Sequence, residues 1–402
     1  MRTPRGKGSP NGALASVSPN ELVGQLIAAL NARNGDAAMG AQKLILSCVG
    51  QVGPQGGHIA MVSRLYSALP DTVTVLTVNN FCAGGLNAIG VADALVRSHA
   101  LDLVLAGGVE CMSQVPFLAD NASYYNDPVL SRDLHFVPVG LSADYLAFAH
   151  DIARETLDAV SFDSHQRAAK AWAEGRYDRS VVSVRGEDGG IVLDKDETIR
   201  PTLTPEAMAE MPPVFEEQGR AQYDAVIRAA RPGLGDIEHR HGLANCPPIA
   251  DGAALVLLGS EAAGERAGLT PLARLVAFAE ASGDPVDQLT SGVKAMELLL
   301  EREKLTLDDF DLIEFMEAFA VTPAKFYRDF DPDRARVNVN GGHLAMGHPM
   351  GATGAVLTAT LTHEMKARGA RRGLVVATGG SDRKSTRLNS SHLTTSRMPS
   401  SA

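Results

Sequence analysis

The chain has 402 residues, enough for two or three domains, and 45% of them are hydrophobic, enough for large buried cores. The formal net charge of −10 argues against a nucleic-acid partner, because phosphates are neutralised by basic surfaces. The sequence contains neither an apolar run long enough to span a bilayer nor a secretory signal. The four cysteines are too widely spaced for a disulfide framework or a Cys-x-x-Cys zinc site, so we expect a reducing, cytoplasmic location.

Residues 19–116 alternate helical and apolar stretches, which is typical of βαβ units around a buried, mostly parallel sheet. The patterns predict helices over 21–32, 57–68 and 83–96, and strands over 43–49, 72–78 and 101–106. The alternation fails between 117 and 246, where only two helices are predicted, over 142–152 and 158–174. We interpret this segment as an inserted loop domain that binds substrate, since loops on a rigid scaffold often carry binding residues.

The sheet pattern returns after the insertion, with strands predicted over 252–258, 273–278 and 374–377 and a small-residue helix over 355–365. The chain is therefore predicted to be an α/β protein with two similar βαβ-rich halves. The predicted boundaries are 1–116, completed by 247–265, for the first half; 117–246 for the insertion; and 266–380 for the second half. Residues 381–402 are rich in Ser, Thr and Arg without an apolar period, and we expect a non-native or disordered tail there.

Cys82 stands where the strand pattern of 72–78 ends and the helix pattern of 83–96 begins. A thiol at a helix start lies near unpaired N–H groups, and the positive end of the helix dipole favours its thiolate. The small residues that follow leave room for a bulky acyl group. The residues alone leave two alternatives open: a nucleophile that accepts an acyl group, and a buried cysteine that packs as a small hydrophobic side chain.

His348 lies in a glycine-rich loop that is predicted to follow a short strand at 338–340 and to precede the helix at 355–365. Pro349 disfavours helical geometry at His348. A lone loop histidine is more often a surface residue than a catalyst. Open α/β sheets bind ligands at the carboxyl ends of their strands, and both Cys82 and His348 are expected there.

Together the two segments resemble the thiolase family (acetyl-CoA C-acetyltransferases and acyl-CoA C-acyltransferases). The run FCAGGLNA at 81–88 is similar to the family's nucleophile segment, and NVNGGHLAMGHPMGATGA at 338–355 resembles its second signature almost position for position. Shorter similar runs follow in the family's order at 2–8, 48–51, 107–113, 196–200, 251–254 and 317–320. The resemblance extends from about residue 2 to 380, and it implies a thiolase-like fold truncated at both ends with a foreign C-terminal tail.

The resemblance implies that Cys82 takes an acyl group from a CoA thioester, with His348 as its base, and that the enzyme forms or cleaves 3-ketoacyl-CoA. The N–H groups of Cys82 and Gly380 would form one oxyanion hole, and His348 with a water held at position 316 the other. Further implied contacts are Arg200 with the nucleotide, Phe215 with the pantetheine, and Ala318 and Phe319 with the acyl group. Acyl-CoA and CoA are the expected partners, with no cofactor, metal, nucleic acid or membrane, and the expected assembly is a homodimer or homotetramer.

Three positions depart from the family's pattern. Met316 replaces an Asn and cannot hold a water, Thr378 replaces a late Cys and is a poor base, and Pro247 replaces a Ser near the pantetheine. The alternative function is therefore an impaired thiolase-like protein that binds CoA thioesters, or a slow thioesterase. A dinucleotide-dependent dehydrogenase is disfavoured, because no Gly-x-Gly-x-x-Gly run follows a strand.

Four other side chains leave alternatives open. Arg200 could be a surface ion-pair partner and Phe215 an ordinary core residue. Glu317 could be structural. His343 stands at a position that is usually small in the family. It is either a loop histidine with satisfied hydrogen bonds, the favoured alternative, or a spare base that compensates for Thr378.

Overall fold

The computed structural model describes residues 1–380 and the backbone of the strand Ser390–Ser396. A five-stranded sheet has the strand order β1-β7-β4-β2-β3. Its strands are β1 (Gly6–Lys7), β2 (Lys43–Ser47), β3 (Thr74–Val78), β4 (Leu103–Cys111) and β7 (Ala250–Gly259). Strand β2 is parallel to both β3 and β4, whereas β7 is antiparallel to β4 and to β1. The predicted α/β class is confirmed: β3, β2 and β4 form a parallel core, β7 runs antiparallel beside β4, and β1 runs antiparallel to β7.

A second, four-stranded sheet has the order β8-β11-β10-β9. Its strands are β8 (Arg274–Ala281), β9 (Leu312–Phe315), β10 (Arg372–Val376) and β11 (Ser390–Ser396). Strands β9 and β10 are parallel, and β11 is antiparallel to both of its neighbours. A separate two-stranded ribbon pairs β5 (Val184–Arg185) with β6 (Ile191–Leu193).

Strand β11 was not expected from the sequence. Residues 381–402 were predicted to lie outside the fold, yet Ser390–Ser396 pairs with β8 on one side and β10 on the other. Backbone hydrogen bonds form a ladder without any apolar period in the side chains, so the lack of that period did not exclude a strand. The rest of the predicted tail, 381–389 and 397–402, lies outside the described residues.

Helices form three layers, one outside each sheet and one between the two sheets. Helices α1 (Pro19–Asn34) and α2 (Ile59–Tyr66) cover the outer face of the first sheet, and α12 (Ser291–Glu303) covers the second. Between the sheets lie α3 (Gly84–Arg97) and α15 (Thr353–Arg368), which pack on each other and on strands of both sheets. The two central helices are rich in small and apolar residues because both sides of this layer are buried.

The remaining helices lie mostly in the segment between β4 and β7. They are α4 (Ser123–Asn126), α5 (Pro128–Asp133), α6 (Val139–Ala149), α7 (Arg154–Ala173), α8 (Pro205–Ala209), α9 (Glu216–Gln218), α10 (Asp224–Ala230), α11 (Glu261–Arg266), α13 (Val321–Phe330) and α14 (His343–Met346). Every predicted helix and strand of residues 1–380 is present within a few residues of its predicted ends, except the strand at 338–340. The pairing nearest to that segment is a single bridge, between Val337 and Ile313. None of the helices described is both long and apolar enough to cross a membrane.

Candidate active site

Cys82 lies on a sharp turn between a strand and a helix. Strand β3 ends at Val78 and helix α3 begins at Gly84, so five residues make the turn. Within it Phe81 has a φ of +46°, a left-handed conformation that is rare for an aromatic residue. Strained residues of this kind concentrate at functional sites. The conformation of Phe81 fixes the direction of the backbone at the neighbouring Cys82.

The central helices meet at their first turns, and this contact brings the loops of Cys82 and His348 to one end of the layer. A Cβ atom on Gly354 would lie 2.2 Å from the backbone nitrogen of Leu86, and one on Gly85 would lie 2.8 Å from the carbonyl oxygen of Gly351. Only glycine permits such an approach of the two backbones. These glycines therefore admit the backbone of the neighbouring helix.

Two backbone N–H groups, its own and that of Gly380, lie close to the sulfur of Cys82. These donors favour the thiolate, but burial and the carboxylate of Glu110 act more strongly and raise the pKa of Cys82 to about 12. The predicted helix-start thiolate is therefore wrong for the resting protein. Helix α3 begins two residues beyond Cys82, and the dipole does not outweigh the loss of solvent.

His348 is buried and held at several points. Its Nδ1 lies 2.8 Å from the hydroxyl oxygen of Thr353, and its backbone N–H donates to the carbonyl of Pro248. Arg5 donates to the carbonyl of Gly347 at 3.1 Å. Burial, with the nearby charge of Arg5, lowers the pKa of His348 to about 3. The imidazole is therefore neutral at physiological pH, and Thr353 fixes its ring through Nδ1.

Two of the three residues that depart from the family pattern, Met316 and Thr378, touch each other. The backbone N–H of Thr378 lies 3.5 Å from the sulfur of Met316, and both residues are buried. The hydroxyl of Thr378 donates to the carbonyl of Gln288 at 3.3 Å and lies 3.4 Å from the hydroxyl of Ser291. Position 378 thus carries a hydroxyl engaged with its neighbours, and position 316 a thioether without a donor.

Glu317 is structural. Its carboxylate accepts hydrogen bonds from the hydroxyl of Ser164 at 2.7 Å, the amide of Asn338 at 3.0 Å and the backbone N–H of Leu344 at 3.1 Å. These contacts fasten the loop before His348 to the end of β9. The structural alternative for Glu317 accounts for every one of them.

His343 lies against His348. The ring centroids are 5.4 Å apart and the rings are nearly perpendicular, at 81°. His343 is 1% exposed, and within residues 1–380 neither of its ring nitrogens has a hydrogen-bond partner. The favoured expectation, a loop histidine with satisfied hydrogen bonds, is therefore wrong.

The residues expected to bind substrate fall into two groups. Phe215 is half-buried, and its ring lies 6.0 Å from that of Phe319 in an edge-to-face arrangement, while Ala318 and Phe319 are buried. Arg200 is exposed, and its side chain forms no ion pair within residues 1–380. Its backbone N–H donates to Nδ1 of His165 at 3.0 Å. The exposed cation is therefore not the ion-pair partner that the sequence left open.

Comparison with known proteins agrees with these observations. The thiolase N-terminal domain model matches residues 1–222, and the thiolase C-terminal domain model matches residues 269–388. The chain belongs to the thiolase family. Similar proteins are an acetyl-CoA acetyltransferase of Syntrophomonas wolfei, a 3-ketoacyl-CoA thiolase of Bacillus subtilis and a β-ketoadipyl-CoA thiolase of Pseudomonas aeruginosa, each 32% identical over 93% of both chains. The predicted family, fold and acyltransferase class are confirmed.

Four residues at the site of this thiolase were not singled out from the sequence: Phe81, Thr353, Glu110 and Arg5. Phe81 and Thr353 lie inside the two long motifs, so their proximity to Cys82 and His348 could have been noticed. Glu110 and Arg5 also lie within similar runs, but nothing local indicates which loop they contact. Glu110 accepts hydrogen bonds from the N–H groups of Gly50 and Gly351 and so joins two loops that are distant in sequence.

Proposed function

We propose that this thiolase forms or cleaves 3-ketoacyl-CoA through an S-acyl intermediate on Cys82. The observation that carries the proposal is the position of Cys82. It lies on a strained turn, with the N–H groups of Cys82 and Gly380 at its sulfur and the loop of His348 at the same end of the central helices. A thiol, donors for a developing oxyanion and an imidazole are the groups that acyl transfer requires.

The two key groups are neutral at rest, so proton transfer accompanies attack. His348 is proposed to take the thiol proton at Nε2 while Nδ1–H donates to Thr353. The sulfur forms a bond to the thioester carbon, the carbonyl oxygen gains negative charge, and the N–H groups of Cys82 and Gly380 stabilise it. The bond to the CoA sulfur then breaks, and the leaving sulfur receives the proton from His348. Acyl-Cys82 and free CoA result.

A second candidate function is a slow thioesterase or a binder of CoA thioesters, and the pairing of Met316 with Thr378 favours it. The transfer of the acyl group to a second CoA molecule needs a base that titrates near neutral pH, and a threonine hydroxyl does not. We therefore expect acylation of Cys82 to be faster than the complete cycle.

CoA thioesters are the proposed substrates. The exposed guanidinium of Arg200 suits a phosphate of the nucleotide. The aromatic pair Phe215 and Phe319, with Ala318, offers apolar surface to the pantetheine and a short acyl group. Pro247 removes one hydroxyl from this surface.

Mass spectrometry after exposure to acetyl-CoA and longer acyl-CoAs tests the function directly. The parent protein should gain one acyl group on the peptide that contains Cys82, and the Cys82→Ser variant should gain none. Cys246→Ser is the matched control, since Cys246 is also a half-buried thiol, and it should be acylated like the parent. An acyl group on another cysteine, or on none, would contradict the proposal.

A homodimer or homotetramer is proposed as well, because β3 is an edge strand whose side chains are only half-buried from Val75 to Val78. Light scattering that returns the monomer mass would contradict it. A cytoplasmic location is proposed from the four free thiols. Fractionation that places the protein in an oxidising compartment would contradict that.

A further inference from the structure

We propose that His343 is a neutral hydrogen-bond donor to the enolate oxygen of the acyl-CoA that leaves, or attacks, when the carbon–carbon bond is made or broken. The inference rests on the proposed function and adds a residue to its site. His343 carries an energetic cost in the folded protein. Both ring nitrogens of His343 are buried and unpartnered within residues 1–380. A buried donor without a partner is destabilising, whereas an apolar side chain here would carry no such penalty.

The location of His343 indicates where the missing partner lies. Its ring meets that of His348, 5.4 Å away. On either side along the chain, Gly342 and Leu344 are held against Glu317: a Cβ on Gly342 would lie 2.3 Å from the carboxyl carbon, and the N–H of Leu344 donates to the carboxylate. Glu317 directly follows Met316. The loop that carries His343 is thus held beside the base and against the residue that follows Met316, whose thioether cannot donate.

The charge state of His343 suits a donor and not a base. Burial, with the charge of Arg5, lowers its pKa well below the usual range. A neutral imidazole of this kind polarises a carbonyl in other enzymes, while it accepts protons poorly. The spare-base alternative is therefore disfavoured.

The chemistry balances without a further group. In cleavage, the sulfur of Cys82 bonds to the keto carbon, the bond between C2 and C3 breaks, and its electron pair moves onto the thioester oxygen. His343 donates to that oxygen. The proton that His348 took from the thiol then passes to C2, which leaves acyl-Cys82 and a shortened acyl-CoA.

Two acylating agents separate this role from the rest of the site. Acetoacetyl-CoA acylates Cys82 by expelling an enolate, whereas acetyl-CoA does so by expelling the CoA thiolate. His343→Phe keeps a ring without a donor, and His343→Gln restores a neutral donor. We expect His343→Phe to slow acylation by acetoacetyl-CoA about a hundredfold, as for loss of one oxyanion donor, and to leave acylation by acetyl-CoA within about threefold of the parent. His343→Gln should recover much of the loss with an unchanged pH profile.

The possible outcomes distinguish a failure of the proposed function from a failure of the role of His343. If neither thioester acylates the parent at Cys82, the proposed function itself fails. If acetyl-CoA acylates the parent and acetoacetyl-CoA does not, no enolate donor operates and the inference alone is overturned. It is also overturned if His343→Phe slows both reactions equally, which is the mark of a structural role. Finally, a His343→Gln variant as slow as His343→Phe, with a shifted pH profile, would identify a base instead.

Discussion

At the scale of single residues, the site holds a neutral thiol, Cys82, and a neutral imidazole, His348. The sequence placed Cys82 at a helix start and so predicted a thiolate. The carboxylate of Glu110, on β4, and the burial of the sulfur reverse that prediction, because both disfavour the charged form. The pKa of His348 is shifted in the opposite direction: burial and the charge of Arg5 lower it. An ion pair between the two is therefore not the resting state.

The reaction of Cys82 with iodoacetamide should depend steeply on pH. Because the pKa of Cys82 is raised to about 12, the reactive thiolate fraction should grow about tenfold for each pH unit between about pH 7 and 10. His348 is already neutral throughout that range and should add no step. Labelling that is quenched at set times, followed by peptide mass spectrometry, measures the rate of reaction at Cys82. The Cys82→Ala variant gives the background from other thiols. A plateau below about pH 9 would mean that the thiolate forms far more easily than the burial of the sulfur allows.

Restoring the family's residues at 316 and 378 should raise turnover. Met316→Asn alone should help weakly, because no base is supplied, and Thr378→Cys alone should help more, because a thiol titrates nearer to neutral pH. The double variant should exceed the sum of the two, since the residues touch and act on one transition state. Steady-state thiolysis of acetoacetyl-CoA is the measurement. Full thiolase turnover by the unmodified chain would contradict this prediction.

At the scale of elements, the site depends on how helices α3 and α15 meet. Each helix was predicted from its small residues, but the contact was not, because a periodic pattern shows which face is buried and not what buries it. The first turns touch through Gly85 and Gly354. The loops of Cys82 and His348 owe their common position to this contact.

Gly354→Ala should therefore damage the site and the fold together. The new methyl group would meet the backbone of Leu86, which cannot rotate away, and we expect a loss of about 1–3 kcal/mol in the free energy of unfolding. Acylation of Cys82 should slow as well. Gly264→Ala is the matched control: it lies within α11, nothing is within 4 Å of its Cβ position, and it should gain about 0.5–1 kcal/mol. Equal stability of the two variants in denaturant titrations would argue against a tight contact between the helices.

Most elements of the two sheets were predictable because buried strands and helices leave strong apolar patterns. Two segments were predicted wrongly. The segment before His348 contains the apolar Val337 and Val339, yet it forms only one bridge, because Asn338 instead donates to the carbonyl of Phe315 and caps the end of β9. Strand β11 has no such pattern at all, and its place follows from the backbone groups that β8 and β10 present.

At the scale of the whole molecule, a buried ionic cluster joins the start of the chain to the inserted segment and to the site. Asp196 accepts two hydrogen bonds from Arg2, at 2.7 and 2.8 Å, and two from Arg5, from its backbone N–H at 2.8 Å and its side chain at 3.3 Å. The indole N–H of Trp172 donates to the same carboxylate at 3.1 Å. Arg5 in turn holds the loop of His348 through Gly347. Segments that are far apart in sequence thus share one carboxylate.

Asp196→Asn should destabilise the whole fold and loosen the His348 loop. Removing one partner of a buried pair leaves the other charge uncompensated, so we expect a loss of about 3–5 kcal/mol near neutral pH. Asp71→Asn breaks an ion pair whose carboxylate is 99% exposed and should change stability by less than about 1 kcal/mol. Trp172 is the only tryptophan, so its fluorescence during denaturant unfolding reports on the cluster itself.

The stability difference between the parent and Asp196→Asn should also depend on pH. Burial raises the pKa of Asp196, but the charges of Arg2 and Arg5 outweigh it and hold the pKa well below its usual range. A carboxyl group whose pKa is lower in the folded state stabilises the fold above its unfolded pKa, about 3.9, and loses that contribution as the pH falls. The difference between the parent and Asp196→Asn should therefore be constant above about pH 5 and shrink progressively below about pH 4. A difference that stays constant down to about pH 3 would mean that Asp196 is not the carboxylate that binds the two arginines together.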